Sequence, residues 1–244
     1  ISPFQIMFWL SIVDMTALAI NSISYGILMI QGSVFCEKPD VIWVLGCFGL
    51  GKYSCCNMIT ASLLTRIFEP LHYRSQYLAS NVSSLLGASC YGLFFGLFTR
   101  PVLFNSAGGA LFFDPYIATM PANTYVNYLH AANNILIVFL LISLYLALCV
   151  VILAKQVRYG GEISLSVSLQ IFLQAGLICT FNFIGALLYV YVNFFPSPRE
   201  LVMTGQVAWQ LSHGMPPFIY ILLNKSVRRN FKRAFGRLIT RQNS

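Results

Sequence analysis

Ile135-Leu136-Ile137-Val138-Phe139-Leu140-Leu141-Ile142-Ser143-Leu144-Tyr145-Leu146-Ala147-Leu148-Cys149-Val150-Val151-Ile152-Leu153-Ala154 runs for twenty residues without one charge. At 1.5 Å per residue, roughly 20 apolar residues in a helix cross the hydrocarbon core of a bilayer. The run belongs to one of six such segments, at about 3–31, 41–66, 79–104, 125–154, 164–195 and 201–223. Short polar links separate them: Glu37-Lys38-Pro39-Asp40, His72-Tyr73-Arg74, Asp114-Pro115, Gly160-Gly161-Glu162 and Pro196-Ser197-Pro198. The period-two alternation of an outer-membrane barrel is absent from the sequence. The sequence therefore predicts an all-α, polytopic transmembrane bundle over residues 1–224, followed by a cytoplasmic basic helix and tail over 225–244.

Composition agrees. Of 244 residues, 57% are hydrophobic and 9% charged, and the mean hydropathy is +0.72. A soluble domain carries about 25% charged residues, so this composition excludes a cytosolic enzyme, a disordered chain and a secreted disulfide scaffold. Seven cysteines, mostly inside apolar runs, imply no disulfide framework. The net charge of +8 does not signal nucleic-acid binding, because the basic residues flank membrane spans.

Their distribution sets the orientation. Arg66, Arg74, Lys155, Arg158 and seven basic residues of the tail lie on one side, against Lys38, Arg100 and Arg199 on the other. The first side is cytoplasmic by the positive-inside rule, and the C-terminus with it. Six spans then put residue 1 in the cytoplasm too. The start, Ile1-Ser2-Pro3, has no basic n-region and is no signal peptide. A seventh span upstream of it is expected. The sequons at Asn81 and Asn224 face the cytoplasm and are expected to be unglycosylated.

In the tail, Val227, Phe231, Ala234, Phe235 and Leu238 share one helical face, flanked by Arg228, Arg229, Lys232, Arg233 and Arg237. This is a basic amphipathic helix suited to lie on an anionic membrane surface.

Ionisable groups within spans mark buried functional positions. Asp14 lies about ten residues from the cytoplasmic end of its span and Lys52 fourteen before Arg66, at depths of roughly 15 and 21 Å. A lysine stem reaches that difference, so the two are expected to form one polar cluster between neighbouring helices. Fourteen residues also return Lys52 and Arg66 to one helix face. Arg66, taken alone, reads as an anchor at the inner end of a span with Glu69 three residues on. In the last span Trp209, His213, Pro216 and Tyr220 form one interior stripe, kinked by Pro216 and Pro217.

Enzyme readings find no support. His130 and His213 differ by roughly 10 Å in depth, which disfavours haem or a metal, and no nucleophile elbow or phosphate loop is present. No catalytic residue, metal or cofactor is expected.

These residues carry a resemblance. Asp14 within one span, Arg66 at the inner end of the next, and Pro217 to Tyr220 ahead of a basic helix resemble a rhodopsin-like G protein-coupled receptor. The finer pattern is similar to the nematode serpentine chemoreceptors of class T. It rests on Phe98-Thr99-Arg100-Pro101 with Phe104-Asn105-Ser106, Asn133-Asn134 before Leu144–Cys149, and His213-Gly214-Met215-Pro216-Pro217-Phe218-Ile219-Tyr220 leading into Asn224–Arg228. It extends from about Pro3 to Gly236 and covers helices two to seven, without the family's first.

The resemblance implies a ligand or activation core at Asp14, Lys52, Trp209 and His213. It implies G-protein coupling through Arg66 and Tyr220, and a membrane-surface helix carrying Val227, Arg228, Arg229, Phe231, Lys232, Arg233 and Phe235. The implied partners are a heterotrimeric G protein, an unknown extracellular small molecule and membrane lipids, at the plasma membrane. The sequence departs from the pattern at Thr65, where an acid is usual, and at Pro216, where Asn is usual. The sixth helix has no proline, and the loop 105–124 has no cysteine to pair with Cys36. A six-span transporter or channel is the alternative reading, although no internal repeat supports it.

Overall fold

The computed structural model describes residues 3–65, 77–114, 117, 119, 122–158 and 165–242. Among these the elements are α1 (Pro3–Leu18), a π-helical segment (Ala19–Ser24), α2 (Tyr25–Ile30), α3 (Pro39–Thr65), α4 (Tyr77–Phe98), β1 (Leu103–Asn105), β2 (Ala110–Phe112), a 3-10 turn (Ala122–Tyr125), α5 (Tyr128–Arg158), α6 (Leu165–Phe194), α7 (Arg199–Leu223) and α8 (Lys225–Gln242). The expected spans agree with these helices, with two differences.

The first is the end of the third span. It was expected to reach residue 104, but α4 stops at Phe98. Pro101 cannot continue a helix and restricts the residue before it, and Thr99 Oγ1 donates to the Phe95 carbonyl at 2.7 Å. The chain turns back as an antiparallel hairpin pairing Leu103 with Phe112 and Asn105 with Ala110. Asn105 Oδ1 accepts from the Ala107 N–H at 2.8 Å, and Gly109 takes the left-handed conformation, φ +68°, that the return requires.

The second difference is a π-helical segment inside the first span. Its register shift leaves the Asn21 carbonyl to two side chains of α7: Gln206 Nε2 donates at 2.8 Å and Gln210 Nε2 at 2.7 Å. Such bulges are frequent at functional sites.

Phe8–Ile30, Tyr128–Val151 and Phe172–Phe194 are long and apolar enough to cross a bilayer, with Val82–Phe98 a shorter apolar stretch. Their outer faces expose Ile30, Phe139, Leu136 and Leu187, as a helix facing lipid must. Buried groups of α3 and α7 are partly polar: Ser54, Asn57, Gln206, Ser212 and His213. The fold is a helical membrane bundle.

The tightest helix pair is α3 with α4. A Cβ on Gly92 would lie 2.6 Å from the Gly51 carbonyl oxygen, and one on Gly96 2.8 Å from that of Cys47. Gly92-x-x-x-Gly96 faces Cys47-x-x-x-Gly51-x-x-x-Cys55, the small-residue spacing that lets membrane helices approach closely.

Candidate functional site

The hairpin is sunk into one end of the bundle. Val102, Leu103, Phe104, Ala110 and Leu111 are all at most 2% exposed. All but Ala110 join Leu50, Tyr53, Phe95 and Trp209 in the main core, Ala110 packs with Phe112 and Val202, and Val102 packs its carbonyl into the notch at Gly46. Polar bonds fix it on several sides. Tyr25 Oη donates to the Gly109 carbonyl at 2.9 Å, Ser106 Oγ to the Gly32 carbonyl at 2.9 Å, and Tyr189 Oη to the Leu111 carbonyl at 2.9 Å. The Leu111 N–H donates to Gln206 Oε1 at 3.2 Å. Gln206 thus joins the hairpin to the π-helical carbonyl of Asn21. No disulfide takes part: Cys36 is free and exposed.

Beneath the hairpin is a cavity of about 20 Å³, between α3, α5, α6 and α7. That is room for about one water. Val102 contributes to its wall from the hairpin side, with Tyr53, His130, Asn182, Tyr189, Trp209 and Ser212 among the lining side chains and, among the described residues, no Asp, Glu, Lys or Arg. Tyr189 and Tyr53 stand edge-on to Trp209, at 5.6 and 6.1 Å between ring centres.

From Trp209 a chain of hydrogen bonds leads deeper. Its Nε1–H donates to His213 Nε2 at 3.1 Å, one turn further along α7. An indole nitrogen only donates, so Nε2 carries a lone pair and the imidazole proton sits on Nδ1. That proton faces Asp14 Oδ1 at 2.8 Å. Cys56 Sγ, on α3, donates to the same oxygen at 3.1 Å. Helices α1, α3 and α7 therefore meet on one carboxylate.

This corrects the expected Asp14–Lys52 cluster. The carboxylate's partners are His213 and Cys56, and Lys52 is half-buried one turn earlier in α3, beside Cys55. Cys56 lies ten residues before Arg66, the depth of Asp14, whereas Lys52 is about 6 Å further out. His213 contacts Asp14 directly, and Trp209 reaches it through His213.

The ligand atoms of Asp14, Cys56 and His213 lie within 4.8 Å of one another, close enough for a metal ion. The geometry of the next shell opposes it. A cation on Nδ1 would force the imidazole proton onto Nε2, against the Trp209 N–H. The trio suits a shared hydrogen-bond junction better than an ion.

Arg66 lies outside the described residues. Tyr220 is half-buried near the C-terminal end of α7. At the α7–α8 corner Asn224 is extended, with φ −92° and ψ 107°. Its Oδ1 accepts from the Val227 N–H at 3.2 Å, capping α8, and Arg228 Nη1 donates back to the Leu222 carbonyl at 3.0 Å. On α8, Val227 and Phe231 are exposed, while Lys225, Arg228, Arg229, Lys232 and Arg233 line a common basic surface. Phe235 lies in the same helix; its side chain is outside the described residues. His130 and Gln206 were not recognised as site residues in the sequence. A polar residue near the end of a span reads as ordinary interface until the hairpin is known to descend onto it.

Residues 1–244 match the family described as serpentine type 7TM GPCR chemoreceptor Srt. Among curated proteins the chain is similar to "Serpentine receptor class T-55" of Caenorhabditis elegans, at 27% identity over 241 residues. That similarity covers 93% of this chain and 64% of the relative's length. No solved structure matches the chain.

Proposed function

The chain belongs to the serpentine 7TM chemoreceptor family Srt, and we propose on that premise that it binds an extracellular small molecule and signals through a cytoplasmic heterotrimeric G protein. The observation that carries the reading is the cavity beneath the hairpin, whose wall residue Trp209 is hydrogen-bonded into the His213–Asp14–Cys56 junction. A ligand that displaces Trp209 changes a contact shared by α1, α3 and α7. A ligand shifts a conformational equilibrium by its differential affinity for the two states, and here the site and the junction share one side chain. Family membership favours this reading over the six-span transporter.

The receptor sits in the plasma membrane with its C-terminus in the cytoplasm. Arg66 and Tyr220 form the G-protein face, since each lies at the inner end of its span, and α8 rests on the anionic inner leaflet. Expression in a G-protein reporter cell tests this against a panel of small molecules. Arg66→Ala is expected to abolish the ligand response while surface expression stays near normal. Lost expression with an intact response per receptor returns Arg66 to the role of membrane anchor.

A further inference from the structure

The side chains of the cavity narrow what it accepts. Most of the hydrogen-bond donors around it are committed to the protein. Trp209 Nε1–H is bonded to His213, Tyr189 Oη–H to the Leu111 carbonyl, Asn182 Nδ2 to the Ile178 carbonyl at 3.0 Å, and Ser212 Oγ to the Trp209 carbonyl at 2.8 Å. His130 is different. Asn127 Oδ1 fixes its backbone N–H at 2.8 Å, and its Nε2 lies 3.1 Å from Asn134 Nδ2. With Asn134 Nδ2 as the donor, which leaves Asn134 Oδ1 itself unpaired among the described residues, Nε2 accepts and the proton is on Nδ1. That Nδ1 is buried and has no partner among the described residues. An unpaired donor inside a protein calls for an explanation.

The surroundings of the ring supply one. Phe113, Tyr53 and Tyr189 enclose it, at 4.8, 5.7 and 6.3 Å between ring centres. The lining holds no charge, so an ammonium or carboxylate ligand would be desolvated without a counterion, which is strongly unfavourable. We propose that the cavity takes an uncharged, compact, largely apolar molecule bearing one hydrogen-bond acceptor, a carbonyl or ether oxygen, which pairs with His130 Nδ1–H. The inference rests on the receptor reading and adds to it the chemical class of the ligand and the residue that selects it. The cavity has about the volume of one water. A molecule with a carbon body fits only as the walls move, and Trp209 is one of those walls. Binding and the disturbance of the junction below are then one event.

Matched six-membered rings test this on the whole chain in lipid nanodiscs: cyclohexanone, cyclohexane, cyclohexylamine and cyclohexanecarboxylate, read as apparent affinity from the shift of the unfolding midpoint. Cyclohexanone is expected to bind about tenfold more tightly than cyclohexane, the scale of one buried hydrogen bond, and the two ions not measurably. His130→Phe should remove the preference for the ketone over cyclohexane. His130→Asn, which keeps a donor, should restore part of it and serves if the Phe variant does not fold. Preferential binding of the amine or the acid overturns the proposal. So does a ketone preference that survives His130→Phe, or an absence of binding by every probe. Ala186→Leu, which fills the cavity, separates the two levels of the argument. If the ketone still binds that variant as before, the cavity is not the site and the receptor reading at this place fails, whatever His130 does.

Discussion

His213 and Asp14, 199 residues apart in the chain, meet with Nδ1 2.8 Å from Oδ1. Both are buried. The contact ties the last membrane helix to the first one described, and it is oriented from both ends. Trp209 holds the lone pair of the imidazole, and Cys56 shares the carboxylate. A buried, fully oriented polar pair of this kind has two partners to lose when one is removed.

Coupling between the two should therefore be measurable. Asp14→Asn and His213→Phe are each expected to lower the stability of the purified receptor. Their double-mutant cycle should show about 1–2 kcal/mol of coupling, the range for a buried hydrogen bond involving a charged group or for strong interhelical bonds. The same cycle with Lys52→Met in place of His213→Phe should be additive to within about 0.5 kcal/mol. Coupling to Lys52 as large as that to His213 would contradict the geometry.

The α8 helix makes a separate, lipid-dependent prediction. Val227 and Phe231 are exposed on one face, and five cations line another. Each cation near an anionic leaflet adds about 1 kcal/mol of attraction. Replacing Arg228, Arg229, Lys232 and Arg233 by Gln should speed amide hydrogen exchange across 225–242 by about tenfold or more in anionic nanodiscs. In zwitterionic nanodiscs the variant and the parent should exchange alike. A difference that is equal in both lipids would mean that the cations stabilise α8 through the protein, not the membrane.

Most of the helices were legible because lipid imposes one strong constraint: about twenty apolar residues, closed internally by their own hydrogen bonds. Asp14, His213 and Trp209 were legible for the same reason, as polar groups in a place that penalises them. What could not be read was lateral. Which helix meets Asp14 depends on packing between segments far apart in sequence, and two residues of α3, one turn apart, competed for it. The hairpin was hidden by its own composition. Val102-Leu103-Phe104 and Ala110-Leu111-Phe112-Phe113 are apolar on both faces because both are buried, so they show no alternation. The sequence signal was the turn between them, Asn105 to Gly109. The π-helical segment gave only its polar residues, Asn21, Ser22 and Ser24, inside an apolar span.

The α3–α4 seam predicts a contrast between glycines of one helix. A methyl on Gly92 meets the Gly51 carbonyl oxygen at 2.6 Å and Cys55 Cβ at 2.8 Å, whereas one on Gly87 meets nothing within 4 Å. Gly92→Ala should therefore cost about 1–3 kcal/mol by overpacking and reduce surface expression. Gly87→Ala should be neutral or slightly stabilising, since alanine is about 1 kcal/mol better than glycine in a helix interior. Equal behaviour of the two variants would show that α3 and α4 do not approach as closely as described.

Gln206 offers the most direct test of how the hairpin is held in the bundle. Its Oε1 accepts from the Leu111 N–H at 3.2 Å and lies 3.2 Å from Tyr189 Oη, whose one proton goes to the closer Leu111 carbonyl. Its Nε2 donates to the Asn21 carbonyl at 2.8 Å. One side chain thus joins the hairpin and the π-helical segment. Gln206→Leu keeps much of the volume but strands the Leu111 N–H, and an unsatisfied buried donor costs about 1–3 kcal/mol. Tyr189 retains its bond to the Leu111 carbonyl, and the Asn21 carbonyl retains Gln210, so the loss should concentrate on the hairpin. Amide exchange at Leu111 is expected to rise by about tenfold to a hundredfold, while exchange in α5 stays as it was. Gln206→Glu discriminates further. Its carboxylate accepts from Leu111 but, having no donor for Asn21, faces that carbonyl with like polarity. It should protect the hairpin amide better than Leu does and destabilise the junction with the π-helical segment instead. If Gln206→Leu left Leu111 exchange unchanged, the hairpin would be held by apolar burial alone, and Gln206 would serve only to satisfy Asn21.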